Sequence, residues 1–140
     1  MNLERFTRAQ SGVYANAVAE LREGQKRGHW MWFIFPQLLG LGKSTTARHF
    51  GLAGLAEAEA YLAHPVLGPR LMDCARTMMR HSERDAQDIL GPVDALKLRS
   101  CATLFAAVPG ADPVFAALLD TFFAEPCPGT RLALFPRSGS

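Results

Sequence analysis

The densest concentration of chemically capable side chains is the segment His29-Trp30-Met31-Trp32-Phe33-Ile34-Phe35-Pro36-Gln37. Its middle is apolar and mostly aromatic, and its ends are an imidazole and a carboxamide. Each indole N–H needs an acceptor if it is buried. Two arrangements satisfy this pattern. In one, the segment is a central core element whose ends reach solvent, the ordinary role of aromatic stripes. In the other, Trp30 and Trp32 wall a pocket with His29 and Gln37 at its mouth, the usual form of a small-ligand site.

A second concentration lies on the helix predicted after Asp94. Lys97 and Ser100 stand one turn apart, with Cys101 and Leu104 as apolar neighbours. A lysine so flanked either snorkels to water or is partly buried, which disfavours its charged form and calls for an anionic partner. Partly buried lysines bind phosphate or carboxylate, or act as bases. Gly40-Leu41-Gly42-Lys43-Ser44 ends like a nucleotide-binding P-loop. However, Gln37 stands where the first glycine belongs, and only a short helix follows. What remains is a weaker anion cradle made by Lys43 and the N–H groups opening the Ser44 helix. Arg76, Arg80 and Arg84 share a helical row with His81 alongside. Glu83 and Asp85 dilute their charge, so the row reads as a solvated face.

The four histidines, His29, His49, His64 and His81, show no H-x-x-x-H spacing, so no metal site is expected. No carboxylate pair sits in an apolar setting, which argues against acid/base hydrolysis. No cofactor motif is recognised. A net charge of +2 is too mild to imply nucleic acid or an anionic membrane. The three cysteines, Cys74, Cys101 and Cys127, are odd in number and far apart, which reads as reduced thiols in a cytoplasmic protein. The N-terminus has no apolar h-region, and the apolar run from Trp30 to Pro36 is far shorter than the roughly 20 residues of a membrane span.

The elements that must position these groups are predicted to be short helices, so the fold class is all-α, a compact multihelical domain with a buried central segment. A length of 140 residues suits one domain over 1–140, with a core over 3–124 and a less regular segment over 125–140. The expected helices run from Leu3 to Ala9, capped by Asn2, and from Ser11 to a stop at Gly24. Others run from Ser44 or Thr45 to Phe50, over the Leu55–Leu62 stretch, and from Pro65 through Met78. Ser82-Glu83-Arg84-Asp85 resembles a capping box, with Gly91-Pro92 ending the short helix after it. Asp94 is expected to cap the Lys97 helix, and Asp112-Pro113 to open the next. Periodicity leaves Trp30–Phe35 open between strand and helix. Arg137 to Ser140 reads as a mobile tail.

The whole pattern resembles a known family. The run from His29 to Gln37, Leu41-Gly42, His64-Pro65-Val66-Leu67-Gly68-Pro69-Arg70-Leu71, Lys97-Leu98-Arg99-Ser100 and Thr103-Leu104-Phe105 look like the bacterial family catalogued as domain of unknown function 1810. The likeness spans Leu3 to about Phe123. It implies a mainly helical fold with no assigned activity. Members are sometimes labelled calpastatin, whose inhibitory segments are disordered, whereas this composition demands a core. The family's characteristic polar positions fall on His29, Gln37, Ser44, Arg70, Lys97, Arg99 and Ser100. The chain departs from the pattern at Pro126-Cys127-Pro128-Gly129-Thr130-Arg131-Leu132, where the family's acidic turn residue is missing.

Two functions follow as expectations. One is a pocket for an anionic or nucleotide-like small molecule, walled by Trp30 and Trp32, with charge from Lys97 or Arg99 and hydrogen bonds from His29 and Gln37. The other is a protein-interaction or homo-oligomeric assembly module without catalysis, in contact through an apolar patch from Leu132 to Phe135.

Overall fold

A computed structural model describes residues 2–136. Ten helices fill it: α1 Glu4–Gln10, α2 Tyr14–Glu23, α3 Met31–Ile34, α4 Thr45–Phe50, α5 Leu55–Ala63, α6 Leu67–Met79, α7 Ala86–Leu90, α8 Pro92–Ala106, α9 Val114–Phe122 and α10 Pro128–Leu134. The class is all-α, and the non-helical pairing among the described residues is an isolated parallel bridge between Leu38 and Leu52. The reading of 137–140 as a mobile tail lies outside the described residues.

Local chemistry explains most boundaries. Asn2 Oδ1 accepts from Glu4 N at 2.9 Å and opens α1. Gly24 closes α2 at φ 75°, a left-handed conformation that only glycine adopts cheaply. Ser44 Oγ accepts from Ala47 N at 3.0 Å and caps α4. Asp112 Oδ1 accepts from Val114 N at 2.9 Å at the start of α9.

Several boundaries differ from the sequence reading: α2 starts at Tyr14 and not Ser11, and α6 at Leu67 and not Pro65. Residues 82–85 make no capping box: α7 starts at Ala86 after Asp85, which makes no side-chain cap bond. Pro92 opens α8 rather than ending the segment before it, because its missing N–H costs nothing at a first-turn position. Asp94 therefore sits inside the first turn, and its carboxylate is free for tertiary contacts. Downstream, Pro128 performs the same first-turn role and starts a helix in the segment expected to be less regular.

Helix α8 is the central post. It packs against α5, α7, α9 and α10, while α6 packs against α2, α5 and α9. Leu98, Cys101, Ala102, Leu104 and Phe105 are all buried, so the second half of α8 meets protein all round. A line of rings crosses the core. Phe6 meets Tyr61 edge-on at 5.1 Å, Tyr61 meets Phe105 at 5.6 Å, and Phe105 stacks on Phe115 at 5.5 Å. Gln10, a polar group buried inside the core, is fully employed. Its Nε2 donates to the Phe33 carbonyl at 2.8 Å and to Tyr61 Oη at 3.2 Å, and its Oε1 accepts from Arg70 at 3.2 Å. The Arg70 guanidinium lies 4.6 Å from the Tyr14 ring centroid.

Arg76, Arg80 and Arg84 are all exposed, the solvated face expected of them, although Arg84 lies beyond the end of α6. Arg84 donates to the Gly24 carbonyl at 3.0 Å, and His81 Nε2 lies 2.7 Å from the Leu21 carbonyl, so this turn satisfies the last carbonyls of α2. Arg76 pairs with Asp112 at 2.8 Å.

Helices α5 and α6 approach so closely that a Cβ at Gly68 would stand 2.1 Å from the Leu62 carbonyl oxygen. Gly68→Ala is expected to push them apart and destabilise by about 1–3 kcal/mol, the usual cost of overpacking. Gly54→Ala, where a Cβ meets open space, serves as the control. Thermal unfolding of the two variants checks this, and equal melting temperatures would refute the tight crossing.

Candidate functional site

The aromatic segment divides its two tryptophans between two jobs. Trp30 is 1% exposed and belongs to the core. Its indole Nε1 donates to Glu20 Oε1 at 3.0 Å, and the same oxygen accepts from Arg27 N at 2.6 Å and Gly28 N at 2.8 Å. Partial burial opposes charge on Glu20, but those three bonds outweigh it and hold the carboxyl below its ordinary value. Trp32, about half a helical turn further on, is half-buried and faces a pocket.

That pocket has a volume of about 370 Å³. One side comes from Trp32 and the stretch after it, Gln37 and Leu38. The parallel bridge shapes that stretch: Leu39 N donates to the Leu52 carbonyl at 2.7 Å and Leu52 N to the Gln37 carbonyl at 2.9 Å. The loop between is thereby closed, and Leu41, Gly42 and Phe50 turn toward the cavity. The opposite side is the outer face of α8, with Val93, Leu96, Lys97, Arg99 and Ser100, and Cys127 joins it from the start of α10. The lining is largely apolar. It contains the cations Lys97 and Arg99 and no carboxylate.

Lys97 is held in place from two directions. Its Nζ donates to Asp94 Oδ1 at 2.9 Å and lies 4.2 Å from the Trp32 ring centroid. The other oxygen of Asp94 accepts from Lys26 at 2.8 Å, and Lys26 Nζ lies 5.0 Å from the Trp30 ring centroid. One carboxylate thus serves two ammonium groups, each on its own tryptophan. Burial opposes the charge on Asp94, but the hydrogen bonds and attraction of Lys26 and Lys97 prevail and hold its carboxyl below the usual range. Arg99 has no carboxylate partner among the described residues. Its Nε is buried without a hydrogen-bond partner.

Of the positions singled out in the sequence, the fold brings Trp32, Gln37, Lys97, Arg99 and Ser100 around one cavity. It places the rest elsewhere. His29 is exposed and outside the lining. Trp30 is committed to the core and to Glu20. Ser44 caps α4. Arg70 serves the Gln10 network on α6. Sequence reasoning missed Lys26, Asp94 and Cys127 as neighbours of the site. Lys26 lay in a polar loop and Asp94 passed for a cap, and no local pattern marks a loop lysine as the partner of a distant helix.

The molecule is thus an all-helical protein with an aromatic-walled, cation-bearing pocket. The chain belongs to the family described as Protein of unknown function (DUF1810), whose pattern matches residues 1–134. Its fold is similar to that of the conserved hypothetical protein Rv1873 from Mycobacterium tuberculosis, solved by crystallography. The TM-score is 0.92 at 47% sequence identity, covering 94% of this chain and 95% of that one. No curated protein matches it. Among the described residues, no helix is long and apolar enough to cross a membrane, and no cluster of His, Cys, Asp and Glu could hold a metal ion.

The depressed carboxyls make stability depend on acid. A group whose folded pKa lies below its unfolded value stabilises fully above the unfolded value and loses that contribution as pH falls through the folded one. With unfolded values near 4, the stabilisation from Asp94 and Glu20 is complete at pH 7 and declines below about pH 4. Asp94→Asn is expected to lower stability at pH 7 by about 1–3 kcal/mol and to shrink the difference between pH 7 and pH 3. Urea unfolding at the two pH values checks this, and an undiminished difference would refute the role of Asp94.

Proposed function

We propose that this protein binds a small anionic, nucleotide-like ligand in the pocket between α3, α4 and α8. The carrying observation is a cavity wall with two cations and no carboxylate, set beside the Trp32 ring. An apolar cavity with a few placed polar groups is the common design of small-ligand sites. Trp32 would stack on a flat body, while Leu41, Val93 and Leu96 at the exposed rim would cover its apolar edges. Gln37 supplies a carboxamide, and Arg99 offers a guanidinium suited to planar oxyanions. Lys97 is half-neutralised by Asp94, so it would hold an anion more weakly than a free ammonium and Arg99 would contribute more. The three buried, unpaired thiols suit a reducing bacterial cytoplasm.

Thermal shift against mononucleotides, aromatic carboxylates and inorganic phosphate tests the reading. A ligand at a hundredfold its Kd should add roughly 2.7 kcal/mol of stability. Arg99→Gln and Lys97→Ala should each diminish the shift while far-ultraviolet circular dichroism stays unchanged. A panel without any stabilising anion, or a shift that both variants retain, would overturn it.

A second reading, an assembly module, draws on Leu132 and Phe135, which are 57% and 55% exposed on and just after α10. It expects a dimer by light scattering that Leu132→Glu dissociates. A monomer at all concentrations counts against it.

A further inference from the structure

We propose that Cys127 is a nucleophilic thiol in the pocket wall, placed to bond covalently to a small carboxylate-bearing electrophile. The inference rests on the reading of the pocket as an anion site and adds a reacting atom to it.

Three cysteines occupy three different environments. Cys74 and Cys101 are 1% exposed inside the core. Burial pushes the Cys74 thiol up to about 12 and the Cys101 thiol well above its ordinary value, so both stay protonated. Cys127 instead opens on the cavity that Lys97 and Arg99 also line. Its backbone is fixed, because Cys127 N donates to Thr103 Oγ1 at 2.9 Å and Thr103 Oγ1 donates to the Arg99 carbonyl at 2.7 Å.

The sulfur is surrounded by groups that favour its anion. Ser100 Oγ stands 3.3 Å from Cys127 Sγ and 3.2 Å from the Leu96 carbonyl. A hydroxyl has one proton to give. Beside a neutral thiol it can donate to the carbonyl and accept the S–H, and beside a thiolate it turns to the sulfur. Thr130 is wholly buried, and its Oγ1 has no hydrogen-bond partner. The group it adjoins is Cys127. Arg99 Nε is likewise buried and unpartnered in the same wall. A buried hydroxyl and a buried guanidinium N–H without acceptors cost free energy unless the site holds negative charge. Partial burial opposes the Cys127 thiolate, yet Ser100, Thr130 and Arg99 together hold the thiol below its usual value.

In the reaction the Sγ lone pair attacks an electrophilic carbon of the ligand. An S–C bond forms, and the bond from that carbon to its leaving group breaks. The leaving group departs with the electron pair, and the thiol proton goes to solvent. Arg99 and Lys97 hold the ligand's carboxylate.

Iodoacetate and iodoacetamide, which differ in charge, test both parts on the whole folded chain, read by intact mass and peptide mapping. Cys127 should be alkylated at least about tenfold faster than Cys74 and Cys101 at neutral pH, because rate follows thiolate fraction and access. Its preference for iodoacetate over iodoacetamide should exceed that of N-acetylcysteine. Ser100→Ala should slow labelling and raise the midpoint of the rate–pH profile. Arg99→Gln, at a half-exposed position, should also remove the iodoacetate preference, and it keeps the test open if Ser100→Ala misfolds. Labelling of Cys127 no faster than the core cysteines overturns the nucleophile and leaves the anion pocket standing. Fast labelling by iodoacetamide without an iodoacetate preference overturns the anion reading instead.

Discussion

Asp94 carries one negative charge between two ammonium groups, and the layout of the pocket follows from that shared charge. Lys26 reaches it from the loop after α2, and Lys97 reaches it from within α8. Neither lysine side chain is more than 19% exposed. Ammonium groups so far withdrawn from water need a partner. Satisfying both from one carboxylate ties the loop before the aromatic segment to the central helix. It also sets each ammonium over a ring, Lys26 by Trp30 and Lys97 by Trp32. The same loop is anchored a second time by Glu20, which takes two backbone N–H groups and the Trp30 indole on one oxygen. Two carboxylates therefore position a segment whose own backbone makes only one helical turn.

The pocket lies where regular structure is sparsest. Between Ile34 and Thr45 the chain has no helix, and one parallel bridge closes the loop against the residue that follows α4. Loops between packed helices leave cavities that the helices themselves would fill, which is why binding groups so often sit on them. Here a rigid helix, α8, supplies the charged groups, and the loop supplies the apolar cover. The geometry is thus set by the better-ordered partner. The similarity of fold to the mycobacterial protein extends over nearly the full length of both chains.

The polar groups inside the core have a different task. Gln10 joins α1 to α3, α5 and α6 through bonds to Phe33, Tyr61 and Arg70. Without Gln10 the wholly buried Tyr61 hydroxyl would lose its hydrogen bond, at a cost of about 1–3 kcal/mol. Arg70 entered the candidate set by likeness to the family's polar positions. Its surroundings make it a brace.

Sequence alone determined the helical class, most helix starts and stops, and the apolar positions of α2, α6 and α9, because caps, prolines, glycines and 3.6-residue periodicity act over a few neighbouring residues. It also singled out Trp32, Gln37, Lys97 and Ser100 by residue type and context, and Arg99 by likeness to the family. The tertiary structure alone decided that these meet at one cavity, that Trp30 faces the opposite way to Trp32, that Asp94 is a bridge and not a cap, and that Cys127 joins the wall from the far end of the chain. Those outcomes depend on contacts between residues distant in the chain, such as Lys26 with Asp94, Trp32 with Lys97 and Thr103 with Cys127, where side-chain chemistry sets what can pair but only the packed helices set what does.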